Sequence, residues 1–163
     1  MKAVAVLLLG FMPAVAQAFD VNGVALGGRE ADVKKAYPSA FCKPLEWKSA
    51  AADRRCDDGK ITVGGIPASV TFYLKADAIQ AFDLRFAASA RDQITALLKS
   101  RWGAPRSETT ETFSRRERNE RRIYKARWAR DRDQAVLTVP LERKRATLSA
   151  SRGSFDEEIY RVR

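Results

Sequence analysis

Residues 70–86 read Val70-Thr-Phe-Tyr-Leu-Lys75, then Ala76-Asp77, then Ala78-Ile-Gln-Ala-Phe-Asp-Leu-Arg-Phe86. Val70, Phe72 and Leu74 alternate with Thr71, Tyr73 and Lys75. Beyond a turn at Ala76-Asp77, Phe82, Leu84 and Phe86 alternate with Asp83 and Arg85. A period of two with one polar side marks an antiparallel strand pair buried on one face only. The segment that follows reads as a helix over residues 89–102. Ile94, Leu97, Leu98 and Trp102 share one side of it, and Ser89 with Asp92 makes a capping-box pattern. Gly103 stands at the C′ position and Pro105 prevents continuation. The apolar side is expected to lie on the sheet, which makes Trp102 a core residue rather than a binding one.

Toward the N-terminus, Val33, Ala36 and Tyr37 predict a helix over residues 28–37 that ends at Pro38. Residues 38–52 look irregular. A hairpin is expected next, from Arg54 to Asp57 and from Lys60 to Val63, about an Asp58-Gly59 turn, with Gly64-Gly65 and Pro67 interrupting the second strand as a bulge or a bend. Toward the C-terminus, Thr109 to Phe113, Ile123 to Arg130, Ala135 to Leu141 and Arg145 to Ser151 read as strands. Pro140 cannot donate to a ladder, so its strand lies at an edge or stops there. Residues 154–163 fit either a short helix capped by Ser154 and Glu157 or a last strand. The order helix, strands, helix, strands predicts an α+β fold. Two helix-then-antiparallel-strand units, about 19–88 and 89–163, are expected to pack as one small domain with the helices on one face of the sheet.

Residues 1–18 have the pattern of a secretory signal peptide. Lys2 precedes the apolar run Ala3 to Met12, Pro13 breaks it, and Ala16-Gln17-Ala18 is a small-x-small cleavage site. Cleavage between Ala18 and Phe19 leaves 145 residues and a net charge of +9, against 163 residues and +10 for the whole chain. A domain of that size buries enough surface for one core, and no second apolar run of membrane length follows. Export to the periplasm or the exterior makes a disulfide the expectation for Cys42 and Cys56, the only two cysteines. Closing that loop contributes ~3 kcal/mol in the chain-entropy model. A redox or nucleophilic thiol would lack both CxxC spacing and a histidine partner.

The entry segment Val21-Asn-Gly-Val-Ala-Leu-Gly27, followed by Val33, Tyr37-Pro38, Cys42 and Cys56, resembles a known opening. With the strand pair Val70-Thr-Phe-Tyr-Leu74 and Phe82-Asp-Leu-Arg-Phe86, it is similar to the β-lactamase-inhibitor-protein-like superfamily, which includes the SmpA/OmlA outer-membrane assembly lipoproteins. The likeness covers residues 21–86. It implies an envelope protein that binds other proteins and is not an enzyme. Position 19 is Phe, so the lipidated cysteine of the lipoproteins has no counterpart here, and no contact residue carries over.

The chain contains no histidine, which removes His-based triads, His acid–base chemistry and most zinc and non-haem iron sites. Gly27-Gly28 and Gly64-Gly65 form neither GxGxxG nor a P-loop, so no cofactor or metal is expected. The carboxylates Glu108 and Glu111, and the cluster Asp156, Glu157 and Glu158, leave an envelope carbohydrate hydrolase as the alternative function.

Charge points elsewhere. Residues 19–100 carry a net +2 and residues 101–163 a net +7. Most of the excess lies in Arg115, Arg116, Arg118, Arg121, Arg122, Lys125, Arg127, Arg130 and Arg132. Arginine grips carboxylates and phosphates with a planar fork that lysine lacks. Three readings stand: a solvated hairpin paired with Glu117, Glu120, Asp131 and Asp133; a face for an acidic protein, lipid phosphate or cell-wall polymer; or a nucleic-acid surface. Export disfavours the last. Alternation places Lys125 and Arg127 toward solvent and Trp128 in the core. The expected function is therefore non-catalytic binding of an anionic envelope partner through Arg115, Arg116, Arg118, Arg121, Arg122, Lys125 and Arg127.

Overall fold

A computed structural model of the chain describes residues 17–114 and 120–161. The expected leader up to residue 16, and the site candidates Arg115, Arg116 and Arg118, lie outside the described residues. In chain order the elements are β1 (Asp20–Val21), β2 (Val24–Ala25), α1 (Glu30–Ala36), β3 (Phe41–Pro44), β4 (Arg54–Val63), β5 (Ile66–Lys75) and β6 (Ala78–Ala87). A short 3-10 turn (Ala88–Ala90) leads into α2 (Arg91–Trp102), β7 (Ser107–Ser114), β8 (Glu120–Arg130), β9 (Asp133–Pro140), β10 (Arg145–Arg152) and α3 (Phe155–Glu158).

Alternation along the long strands builds one antiparallel sheet of eight, in the order β3-β4-β5-β6-β10-β9-β8-β7, while β1 and β2 form a separate two-stranded ladder. Two four-stranded meanders meet where β6 pairs β10, with Leu84 opposite Leu148. Val70, Phe72 and Leu74 share the covered face with Phe82, Leu84, Phe86, Leu148, Leu137, Tyr124, Ala126 and Trp128, in a core that runs across both meanders.

This architecture corrects the expected fold class. The protein is mostly β, with 52% of the described residues in strands and 19% helical, not two helix-then-strand units with helices layered on one face. The helices have seven, twelve and four residues, and they do not share a face. On one side α1 and α2 bury Val33, Ile94, Leu98 and Trp102 in the main core. On the other side α3 packs Phe155 against Tyr73, with ring centroids 5.5 Å apart. The physical reason is width. Eight strands ~4.8 Å apart span about 34 Å, and two helices about 10 Å across cover only about 20 Å of that. Irregular chain completes the layer. Phe19 packs edge-on to Trp102 at 4.8 Å, and the Tyr37 hydroxyl donates to the Val21 carbonyl at 3.2 Å.

Local differences have local causes. Asp58-Gly59 is not a turn: β4 runs through it with a bulge between Asp58 and Ile61. The turn comes at Gly64-Gly65, where both residues have positive φ (56° and 80°), as a tight hairpin requires. A Cβ on Gly64 would stand 2.7 Å from Leu97 Cδ2, so α2 sits directly on that turn. Asp58 is buried instead, accepting from Ser39 Oγ at 2.6 Å and from the Lys60 amide at 3.0 Å. Ser89 falls in the 3-10 turn and does not cap α2, whose N-cap is Ala90. Phe41–Pro44, read as irregular, is a short edge strand. It places Cys42 opposite Cys56, and the two are disulfide-bonded. Pro140 ends β9, an interior strand. Residues 155–158 form a single helical turn rather than a strand.

The disulfide fits an oxidising, periplasmic or extracellular compartment. Among the described residues no helix is long and apolar enough to cross a membrane.

Candidate anion-binding surface

The second face of the sheet is largely uncovered. Only its far end, around Tyr73 and Ala81, is capped by Ala51, Ala52, Phe155 and Ile159, with Trp47 beside them. Elsewhere the strand registers lay polar residues in transverse rows. One row runs Asp57, Thr71, Asp83, Ser149, Val136, Arg127 and Ser107. The next runs Ser69, Arg85, Thr147, Thr138, Lys125 and Thr109. Short hydroxyl side chains fill the interior positions, so the cations between them reach solvent without being screened by bulk.

Where the strands β4, β5, β6 and β10 end together, this face opens into a shallow groove of about 570 Å³. Lys60, Arg85, Lys144 and Arg145 line it with the hydroxyl residues Thr62 and Ser69, and no carboxylate does. Lys60, Arg85, Lys144 and Arg145 are exposed, and none of the four makes an ion pair among the described residues. Ala68 and Ala87 are too small to fill the groove. The nearest acid along β6, Asp83, takes a hydrogen bond from Ser149 Oγ at 2.6 Å. Its carboxyl is pushed up by burial, against the pull of Ser149 and Arg85.

The arginine-rich hairpin is only partly free. Arg122 Nε reaches Glu142 at 3.0 Å and Lys125 Nζ reaches Glu111 at 2.8 Å. Arg121 and Arg127 are exposed and unpaired among the described residues. Arg130 is a structural residue: it donates to the Trp102 carbonyl at 2.9 Å and stacks 4.9 Å over Phe19. The anticipated partner Asp133 instead binds Arg152, at 3.0 Å. Trp102 and Trp128 are both buried and meet edge to face at 5.7 Å.

Sequence reasoning missed Lys60, Arg85, Lys144 and Arg145 because they come from three separate stretches that only the sheet brings together. The signals were present, in Arg85 on the polar side of its strand and in the run Arg143-Lys144-Arg145 between two strands.

Glu108 and Glu111 stand three residues apart on one strand and so point to opposite faces. Glu108 is held under α2 by the Tyr124 hydroxyl at 2.6 Å and Lys99 at 3.0 Å. Those two contacts, Tyr124 first, keep its carboxyl below the usual range. Burial and the same hydrogen bond push the Tyr124 phenol up to about 12. Asp156 accepts from Ser151 Oγ and Gln134, both at 2.8 Å. Glu30, Cys42 and Cys56 converge, yet the sulfurs are bonded to each other and Glu30 is engaged by Arg54 and Lys34. That cluster has no free thiolate to offer a metal. The sequence matches no family model, no curated protein and no solved structure.

Proposed function

We propose that this chain is an exported, non-catalytic binding protein of the cell envelope that takes an anionic partner on the basic end of its uncovered sheet face. The observation that carries this reading is the groove lined by Lys60, Arg85, Lys144 and Arg145 with no carboxylate in its walls. Cations left unneutralised on one side of a folded protein raise the local concentration of anions and steer their approach. Arg121 and Arg127 extend the same field along the face. The hairpin therefore contributes part of the surface rather than the whole of it.

The test separates a built surface from net charge alone. Arg85, Arg121, Arg127 and Arg145 are reversed to Glu in one variant, and the exposed cations Arg29, Lys35, Arg132 and Arg161 in another, so that both lose the same charge. Retention on immobilised poly-glutamate is measured at ~0.15 M salt, where the Debye length is ~8 Å. The first variant is expected to lose retention and the second to keep most of it. Equal losses would reduce the surface to bulk charge and sink the reading.

A further inference from the structure

We infer that the groove at the basic end is a discrete phosphate-binding site, with Arg85 and Arg145 as the two forks that grip the phosphate oxygens. This rests on the anionic-partner reading above and narrows its chemistry. Arg85 stands opposite Thr147, and Arg145 stands opposite Ala87, two residues further along each strand. The two arginines are thus diagonal neighbours on adjacent strands, close enough for their guanidinium groups to converge. Like charges at such positions repel, and neither has an acidic partner among the described residues to offset this.

The groove has room for a tetrahedral anion between its cations. Ser69 and Ala87, the short residues opposite Arg85 and Arg145, line it on the same face, so an anion can sit low between the cations instead of perching on long side chains. The Ser69 hydroxyl lies beside Arg85 as its cross-strand partner and can donate one hydrogen bond. Lys60 and Lys144 flank the site from the β4 bulge and the β9–β10 connection. A single carboxylate has two oxygens and one charge, too few to use two forks and two ammonium groups. A phosphate group offers more oxygens and, as a monoester, up to two charges, and bidentate arginine contacts to it are among the stronger hydrogen bonds in proteins. The same chemistry is presented by a lipid headgroup and by a soluble phosphate ester.

The experiment follows backbone amide resonances of residues 60–69, 85–87 and 144–147 on titration with inorganic phosphate and with glycerol 3-phosphate. In parallel, retention is measured on phosphatidylcholine vesicles with and without phosphatidylglycerol. Saturable shifts confined to these residues are expected. The double variant Arg85→Gln, Arg145→Gln should weaken binding by at least about tenfold, as the loss of two charge-assisted contacts implies. Lys60→Gln should weaken it only a few-fold, and it provides a milder variant if the first folds poorly. Shifts with glycerol 3-phosphate but no vesicle retention assign the site to soluble esters. Vesicle retention that the double variant abolishes assigns it to a headgroup. No saturable binding of any probe, or binding that neither variant weakens, overturns the site. Poly-glutamate retention is read on the same preparations. If it persists while phosphate binding is absent, the groove inference fails alone. If it does not depend on the basic end, the broader reading fails as well.

Discussion

The two faces of the eight-stranded sheet are made by the same strands, yet they do different things. On β8, Tyr124, Ala126 and Trp128 are buried while Arg127 between them is exposed. On β6, Phe82, Leu84 and Phe86 are buried, and Asp83 and Arg85 point the other way. One face spends its side chains on packing against α1, α2 and the N-terminal segment. The other carries hydroxyls and cations that have little to pack against. Stability and binding are thereby assigned to different residues of the same strand, so binding residues can change at little cost to the fold.

Trp128→Ala breaks this contrast most severely. The ring packs on Trp102, and its Nε1 donates to the Gly103 carbonyl at 2.9 Å. Truncation leaves a cavity and an unpartnered acceptor, for an expected loss of about 3–5 kcal/mol. Arg127→Ala, one residue away, should change stability by about 0.5 kcal/mol or less. Urea unfolding of both variants checks the pair. Comparable losses would mean that the uncovered face is load-carrying after all.

Next in size is the Cys42–Cys56 bond, which ties the four-residue edge strand β3 to β4 across a sequence separation of 14. Replacing both cysteines by Ala should cost ~3 kcal/mol in the chain-entropy model, read as a lowered urea midpoint. Because β3 pairs β4 only from Arg54 to Asp57, short of the bulge that carries Lys60, phosphate binding and poly-glutamate retention should survive at temperatures where the variant is folded.

Asp83 tests the uncovered face from within. Its folded carboxyl sits above the ordinary value because burial penalises the charge. A raised carboxyl stabilises the fold below the unfolded value of ~3.9 and loses that contribution as the pH rises through the folded value. At pH 7 the ionised form is therefore a net cost. Asp83→Asn keeps an acceptor for Ser149, so it should stabilise the protein at pH 7 by under about 1 kcal/mol and give no gain below pH ~4. Thermal midpoints at the two pH values decide it, and a variant less stable than the parent at pH 7 would refute it.

Much of the division into faces was legible in the sequence, because alternation at 70–75, 82–86, 124–128 and 135–141 is local and survives folding. What was not legible depends on contacts between distant segments. Asp58-Gly59 has turn chemistry, but Gly64-Gly65 offers two positive-φ residues under Leu97 and takes the turn instead. Ile79 and Ala81 have the same parity yet face opposite sides, because the β5–β6 register shifts between Tyr73 and Leu74. The α+β reading failed because a helical side in the sequence does not reveal how wide a sheet it must cover. The basic hairpin was visible as a run, whereas the groove needs residues from β4, β6 and the start of β10.

The smallest effect concerns the turn that decides which residue faces which way. A one-residue slip between β5 and β6 would exchange the two faces, and the turn at Ala76-Asp77 holds the register with both residues left-handed, at φ 48° and 64°. For Ala this conformation costs ~1 kcal/mol, whereas Asn tolerates it and suits a tight hairpin. Ala76→Asn should therefore stabilise the protein by about 0.5 kcal/mol, since the Ala76 amide can still donate to Asp53 Oδ2 at 3.0 Å. Asp77→Gly relieves the same backbone cost but removes Oδ1, which accepts from the Glu30 amide at the start of α1 at 3.1 Å. If strain alone set the stability of this turn, both substitutions would raise the thermal midpoint. If the turn also anchors the helical layer to the sheet, only Ala76→Asn will raise it, and the contrast between the faces then depends on a residue that belongs to neither.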